Sequence, residues 1–263
     1  MKKEARRLPD TKPFVEHLSD LRYTLLKSIC CVLIAMLGCF FFAPQLFAWL
    51  KKPLMIMLET DTITPESLLL TLNPTGAFIM AVKISFHVGL MIALPFVLAF
   101  FCLFLLPALK EHELKTLWPI VFSGSLLFVG GILFCYYTVL PASLHFLWAF
   151  AGWLNVQNAW TLEYYISFVL RFLLVFGIAF EMPLVLLMFI WLNILSPIQL
   201  KNARKGVILG IFILAAILTP PDIFTQIMLA IPLIMLYEAT LWVSYFLSKK
   251  TRANTDKKER NLR

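Results

Sequence analysis

The sequence predicts an all-α, polytopic membrane protein. Six transmembrane helices place both termini on the cytoplasmic side, and the fifth and sixth spans form a short hairpin. Three observations predict this. Hydrophobic residues fill 60% of the 263 positions and charged residues only 14%, about half the charged share of a soluble domain, too few to cover a soluble globule. The apolar stretches are continuous rather than alternating, which favours spanning helices over a membrane β-barrel. The cations are uneven: nineteen Lys and Arg fall in the two tails and in the second-to-third and fourth-to-fifth connections, against Lys51 and Lys52 alone in the others. Basic residues concentrate on the cytoplasmic side, and an even number of spans returns both tails to it.

The elements follow in order. Residues 1–27 form a cytoplasmic tail, too long and too acidic for the charged region of a secretory signal. Within it, 14–27 reads as an amphipathic helix on which Glu16 and Asp20, four residues apart, share a face; Arg22 and Lys27 follow. The transmembrane domain covers 28–247, with apolar segments Ser28–Leu50, Ala77–Leu106, Leu117–Leu140, Tyr164–Leu195, Gly206–Leu218 and Ile223–Leu247. A span needs about 20 apolar residues, so the second and fourth segments tilt or extend beyond the hydrocarbon. The fifth is short, and Thr219-Pro220-Pro221-Asp222 then reverses the chain because proline cannot continue a helix ladder. Two outer caps, about 43–76 and 141–163, are rich in Trp, Phe, Pro and Leu, with Trp148, Trp153 and Trp160 suited to the membrane interface. Residues 248–263 read as a disordered basic tail.

Motifs for catalysis are missing. There is no Gly-x4-Gly-Lys-Ser/Thr loop, no His-Glu-x-x-His and no Gly-x-Ser-x-Gly elbow, so the expectation is no enzyme and no catalytic residue. The four histidines lie in four separate segments. The five cysteines, Cys30, Cys31, Cys39, Cys102 and Cys135, sit inside apolar runs without Cys-x-x-Cys spacing, so neither metal nor cofactor is expected. The net charge of +8 belongs to tails and loops, and no basic groove suits nucleic acid.

What remains is ionisable groups in and beside the membrane. Lys83, His87, Arg171, Glu181 and Glu238 fall within apolar segments, where a charge costs about 2.5–3.5 kcal/mol at mid-span. Lys83, His87 and Arg171 lie near outer ends and can snorkel. Glu181 is deeper, and Pro183 two residues on kinks the helix and frees a carbonyl, which suggests a hydrated pocket or a partner-facing site. Glu238 fits either a functional role or an internal pair. Asp222 either caps the sixth span or makes a contact. On the cytoplasmic face Glu16, Asp20, Glu111 and Glu113 are either a solvated set of charges or an acidic site suited to a pair of guanidinium groups.

Four stretches together carry a family resemblance: Phe14-Val-Glu-His-Leu-Ser-Asp-Leu-Arg22, Phe104-Leu-Leu-Pro-Ala-Leu-Lys-Glu-His-Glu113, Phe176-Gly-Ile-Ala-Phe-Glu-Met-Pro183, and Leu218-Thr-Pro-Pro-Asp-Ile-Phe-Thr-Gln226 with Ala230-Ile-Pro232. Over about 14–247 the chain resembles the TatC family, the multispanning subunit of the twin-arginine protein translocase. The resemblance implies a receptor for twin-arginine signal peptides. With single-span TatA/TatB-like partners, and in a multi-copy complex, it exports folded proteins across a bacterial-type inner membrane with the proton-motive force. It assigns the arginines to Asp20 and Glu113, with Glu16, Arg22 and Phe104 beside them; Asp20 stands where the family usually has Glu. Glu181, Pro183, Pro53, Asp222 and Gln226 match family positions for partner contact and translocation. The competing class, a secondary transporter for a small cationic or weakly acidic solute, calls for an inverted repeat and matching broken helices. No repeat is visible, and only the fifth span is interrupted.

Overall fold

The computed structural model describes residues 14–58, 69–71, 73–105, 114–156, 160–191, 194–218 and 223–260. Helix α1 (Phe14–Phe41) is continuous, so the amphipathic segment expected before the first span forms its opening turns. It stops where Pro44 would have to bond the Phe40 carbonyl and has no N–H to do so. The chain turns at Phe42 and α2 (Ala43–Leu58) begins. After the short strand β1 (Leu69–Leu70), α3 (Gly76–Leu105) returns along α1. These helices touch backbone to backbone: a Cβ on Gly89 would stand 2.7 Å from main-chain atoms of Met36. Near the α1 C-terminus, Phe40 meets the Phe78 ring edge-on at 6.4 Å.

Helix α4 (Leu114–Phe134) passes through a π-turn at Cys135–Val139 into α5 (Leu140–Trp153). From the sequence, the third span ends at Leu140, just before Pro141. Instead the ladder slips by one residue, Leu140 N–H bonding Cys135 O, and so absorbs the missing proline donor while the helix continues. Strand β2 (Trp160–Thr161) pairs in parallel with β1, Leu69 opposite Trp160 and Leu70 opposite Thr161. These four residues, the only strands among the described residues, join the two connections on the side of the bundle where α1 ends. Then come α6 (Leu162–Phe180), a turn at Glu181, α7 (Met182–Trp191), α8 (Pro197–Asn202), α9 (Arg204–Leu218) and α10 (Ile223–Arg260). Helix α8 opens on a capping box in which Ser196 Oγ accepts from Gln199 N–H and Gln199 Oε1 from Ser196 N–H. Backbone helix in α10 carries on through 248–260, where the sequence contains neither Pro nor Gly.

Five helical runs are long and apolar enough to cross a membrane: Leu18–Phe41, Gly76–Phe101, Val121–Trp153, Leu162–Ile190 and Ile223–Tyr245. The chain is a multi-pass, predominantly helical membrane protein. Helix α9 has 15 residues, about 22 Å of rise against a hydrocarbon layer of about 30 Å. Lipid gives apolar helices no hydrophobic reason to associate, so close packing must hold them. The α4–α6 seam does this through glycines. Gly124, Phe128, Gly131 and Cys135 form one buried stripe. A Cβ on Gly131 would lie 2.7 Å from the Phe176 carbonyl oxygen, and one on Gly177 the same distance from the Phe128 ring. The densest core joins α2, α3, α5 and α6 through Leu50, Leu54, Ile84, Leu140, Leu144, Ile166 and Leu170. Side chains such as Ile34, Phe41, Phe122, Ile217 and Met235 remain exposed on the perimeter.

Candidate functional site

The α1–α3 register positions the first group. From the Met36–Gly89 contact, Asp20 lies sixteen residues back along α1 and Phe104 fifteen residues on along α3. At 1.5 Å per residue both are about 22–24 Å from that contact, so they come level at one end of the pair. Asp20 and Phe104 are half-buried and Arg22 is exposed. The Asp20 carbonyl accepts from Thr24 Oγ1 at 2.9 Å, and Thr24 O from Ser28 Oγ at 2.8 Å; these hydroxyls fold back onto α1. Glu16 belongs to the first turn of α1, and its side chain lies outside the described ones. Glu111 and Glu113 lie outside the described residues; Leu114, which follows Glu113, opens α4.

Glu181 is the polar centre of the bundle. Pro183 has no N–H for the Ala179 carbonyl. The helix breaks: Glu181 N–H bonds Ile178 O at 3.1 Å and Val185 N–H bonds Glu181 O at 3.0 Å. The side chain is 6% exposed and fills the notch left by Gly124, where an added Cβ would stand 3.0 Å from Glu181 Oε2. Neither carboxylate oxygen has a hydrogen-bond partner among the described residues. Gly124 is ten residues into α4, about 15 Å from its end, which is mid-membrane for a hydrocarbon layer of about 30 Å.

At the α9–α10 hairpin, Gln226 Nε2 donates to Phe212 O at 3.1 Å; Asp222 lies outside the described residues. Glu238, open to two readings in the sequence, has an internal partner: Arg204 Nε stands 2.5 Å from its Oε1. Beside it, Tyr237 O–H donates to Leu200 O at 2.6 Å, so α10 is tied to α8 and α9. Of the other membrane-embedded cations, Lys83 is half-buried and Arg171 exposed. The His87 Nδ1 lies 2.9 Å from Lys83 O; a carbonyl only accepts, so this nitrogen carries the proton. Among the described residues, no three His, Cys, Asp or Glu side chains converge to hold a metal ion.

Pro53 is buried inside α2 and sits within an arrangement that sequence reasoning missed. Tyr136 O–H, from the π-turn, donates to Trp49 O at 2.8 Å, and Tyr165 O–H, from α6, donates to Leu50 O at 2.8 Å. The Trp49 and Tyr136 rings stack at 4.3 Å. A signal was present: a proline inside a helix exposes the carbonyl four residues before it, and in an apolar setting that carbonyl requires a donor.

A family model, Sec-independent protein translocase protein (TatC), matches residues 16–232. The chain is 39% identical to a Sec-independent protein translocase protein TatC of Aquifex aeolicus over 91% of its own length and 98% of the relative's. It is 34% identical to one of Escherichia coli K12 over 92% of each. Two crystal structures of a twin-arginine translocase receptor, TatC, superpose with TM-scores of 0.77 and 0.78. They share 40% and 39% identity and cover 87% and 88% of this chain and 99% of theirs.

Proposed function

The chain belongs to the TatC family of Sec-independent protein translocase proteins, and from this premise we propose that it is the receptor for twin-arginine signal peptides and the multispanning core of a translocase. It is a protein-transport component, not an enzyme. It sits in a bacterial-type inner membrane with six spans and both termini cytoplasmic, α9 being the short fifth span. The nineteen-to-two distribution of cations supports this orientation. The two connections joined by β1 and β2 are then outer caps, and a cytoplasmic tail and a basic C-terminal tail flank the transmembrane domain.

The observation that carries the reading is the common level of Asp20 and Phe104, at the end of the bundle from which α4 departs just after Glu113. Two carboxylates there meet two guanidinium groups as charge-assisted pairs, with Glu16 and Arg22 in support and Phe104 as an apolar neighbour. Glu181 is the partner site, a mid-membrane carboxylate lacking a donor among the described residues. A polar group on a TatA/TatB-like single-span helix supplies that donor. Pro183, Pro53, Asp222 and Gln226 shape the translocation side of the same machine, which works in several copies and draws on the proton-motive force.

Crosslinking of the full chain to a twin-arginine signal peptide and to its twin-lysine variant tests the proposal. Preferential crosslinking of the arginine peptide is expected. Equal crosslinking of both would remove the guanidinium specificity on which the reading depends.

A further inference from the structure

We infer that Pro53 works through the Trp49 carbonyl it leaves open, and that Tyr136 on that carbonyl and Tyr165 on the neighbouring Leu50 carbonyl are positioning residues that hold the first outer cap in place. The inference rests on the proposed role of Pro53 in translocation and supplies its physical basis.

The geometry follows from counting along α2. In an unbroken helix, residue 53 would donate its N–H to the carbonyl of residue 49. Pro53 has no N–H, so Trp49 O is left without its helical partner. That carbonyl accepts from Tyr136 O–H at 2.8 Å. The next carbonyl, Leu50 O, accepts from Tyr165 O–H at 2.8 Å. Leu50, Leu54 and Tyr165 are all buried, so the Leu50 carbonyl cannot rely on solvent.

The two donors arrive from different elements. Tyr136 comes from the π-turn, which exists where Pro141 withholds a donor, and Tyr165 from the first turns of α6. Two prolines thus cooperate: one opens an acceptor on α2, and the other accompanies the turn from which a donor is presented. The rings add to the hold, Trp49 stacked on Tyr136 and Tyr165 parallel to Trp160 at 6.4 Å. Trp160 is the β2 residue paired with Leu69, so the clamp runs from α2 through α6 to the strand that joins the caps.

The test is a double-mutant cycle on the full chain in detergent, read by thermal unfolding, together with export of a twin-arginine precursor in cells. Tyr136→Phe takes the donor from the Trp49 carbonyl, which Pro53 leaves without a helical partner, and should shift the unfolding equilibrium by roughly 5- to 150-fold. In a Pro53→Ala background, residue 53 regains an N–H for Trp49 O, and the same change should cost less than half as much on a logarithmic scale. Tyr237→Phe, whose acceptor Leu200 O lies far from Pro53, should cost the same in both backgrounds. Export should fall in Tyr136→Phe and recover toward the Pro53→Ala level in the double variant. Equal, additive costs of Tyr136→Phe in both backgrounds would overturn the clamp, whatever export does. Coupling in unfolding, with Pro53→Ala and Tyr136→Phe both exporting at the parental rate, would leave the clamp standing and overturn the role of Pro53 in translocation.

Discussion

The two ends of this bundle are built by opposite means. At the end where α1 gives way to α2, hydrogen bonds run from tyrosine hydroxyls to backbone carbonyls, aromatic rings stack, and two connections share a strand pair. At the other end charged groups are carried near helix starts, Asp20 and Arg22 near the start of α1 and Arg204, paired with Glu238, at the start of α9, with the apolar Phe104 at the end of α3. The first arrangement fixes shape. The second gathers charged groups near helix ends. A chain that reads a charged peptide at one face and moves a protein across the bilayer needs both, and the glycine-lined α4–α6 seam connects them.

The largest effect should come from breaking that connection. Gly131→Leu drives a side chain into the Phe176 carbonyl, 2.7 Å from the ideal Cβ position, and backbone cannot yield as a side-chain tip can. A loss of about 1–3 kcal/mol or more is expected, seen as a lower melting temperature and a smaller monodisperse fraction in detergent. Gly130→Ala, with open space around its Cβ position, should fold normally. If both behave alike, the seam does not join the two ends.

Glu181→Ala sharpens the contrast differently. The carboxylate has no hydrogen-bond partner to lose among the described residues, so the stability of the isolated chain should hold or rise. Co-purification of single-span partners and precursor export should fall, while signal-peptide crosslinking persists. A variant that assembles and exports normally would strip Glu181 of its partner role.

At the charged end, Arg204→Gln removes a partly exposed ion pair with Glu238. Such pairs contribute about 0–1 kcal/mol, so the melting temperature should fall slightly, and the parental advantage should shrink further as salt rises. A large, salt-insensitive loss would mean that this end is held as rigidly as the other. The smallest effect is expected from locking what is already fixed. Cysteines at 70 and 161, opposite each other in the strand pair, should crosslink on oxidation without loss of export. Export that stops on oxidation would show that the caps must separate.

How legible this was depended on whether a feature was local. The apolar runs, the reversal after Leu218 and the break near Glu181 follow from hydropathy and from prolines, and they could be read along the chain. One boundary shifted: the third apolar segment ends at Leu140 and the outer cap begins at 141, yet the π-turn carries the helix on through Pro141. Glu181 was recognisable as a buried acid beside a proline, but the Gly124 notch that receives it is set by the register of α4 against α6. Glu238 could not be assigned until Arg204, 34 residues earlier, came into contact with it. The tyrosine clamp spans 87 and 115 residues of sequence. Pro53 gave only half of it, an acceptor in need of a donor.

The central claim, that carboxylates at the charged end receive the paired arginines, is tested most directly by peptide affinity. Binding of a twin-arginine signal peptide to the full chain in detergent should be compared at low salt for the parent, Glu113→Ala and Asp20→Ala, with a twin-lysine peptide as control. A charge-assisted hydrogen bond contributes about 1.5–3 kcal/mol, so each loss should weaken binding roughly 10- to 150-fold, narrowing as salt is added, with little change for the lysine peptide. A Glu113→Ala chain that is folded and binds the arginine peptide as tightly as the parent would contradict the mechanism.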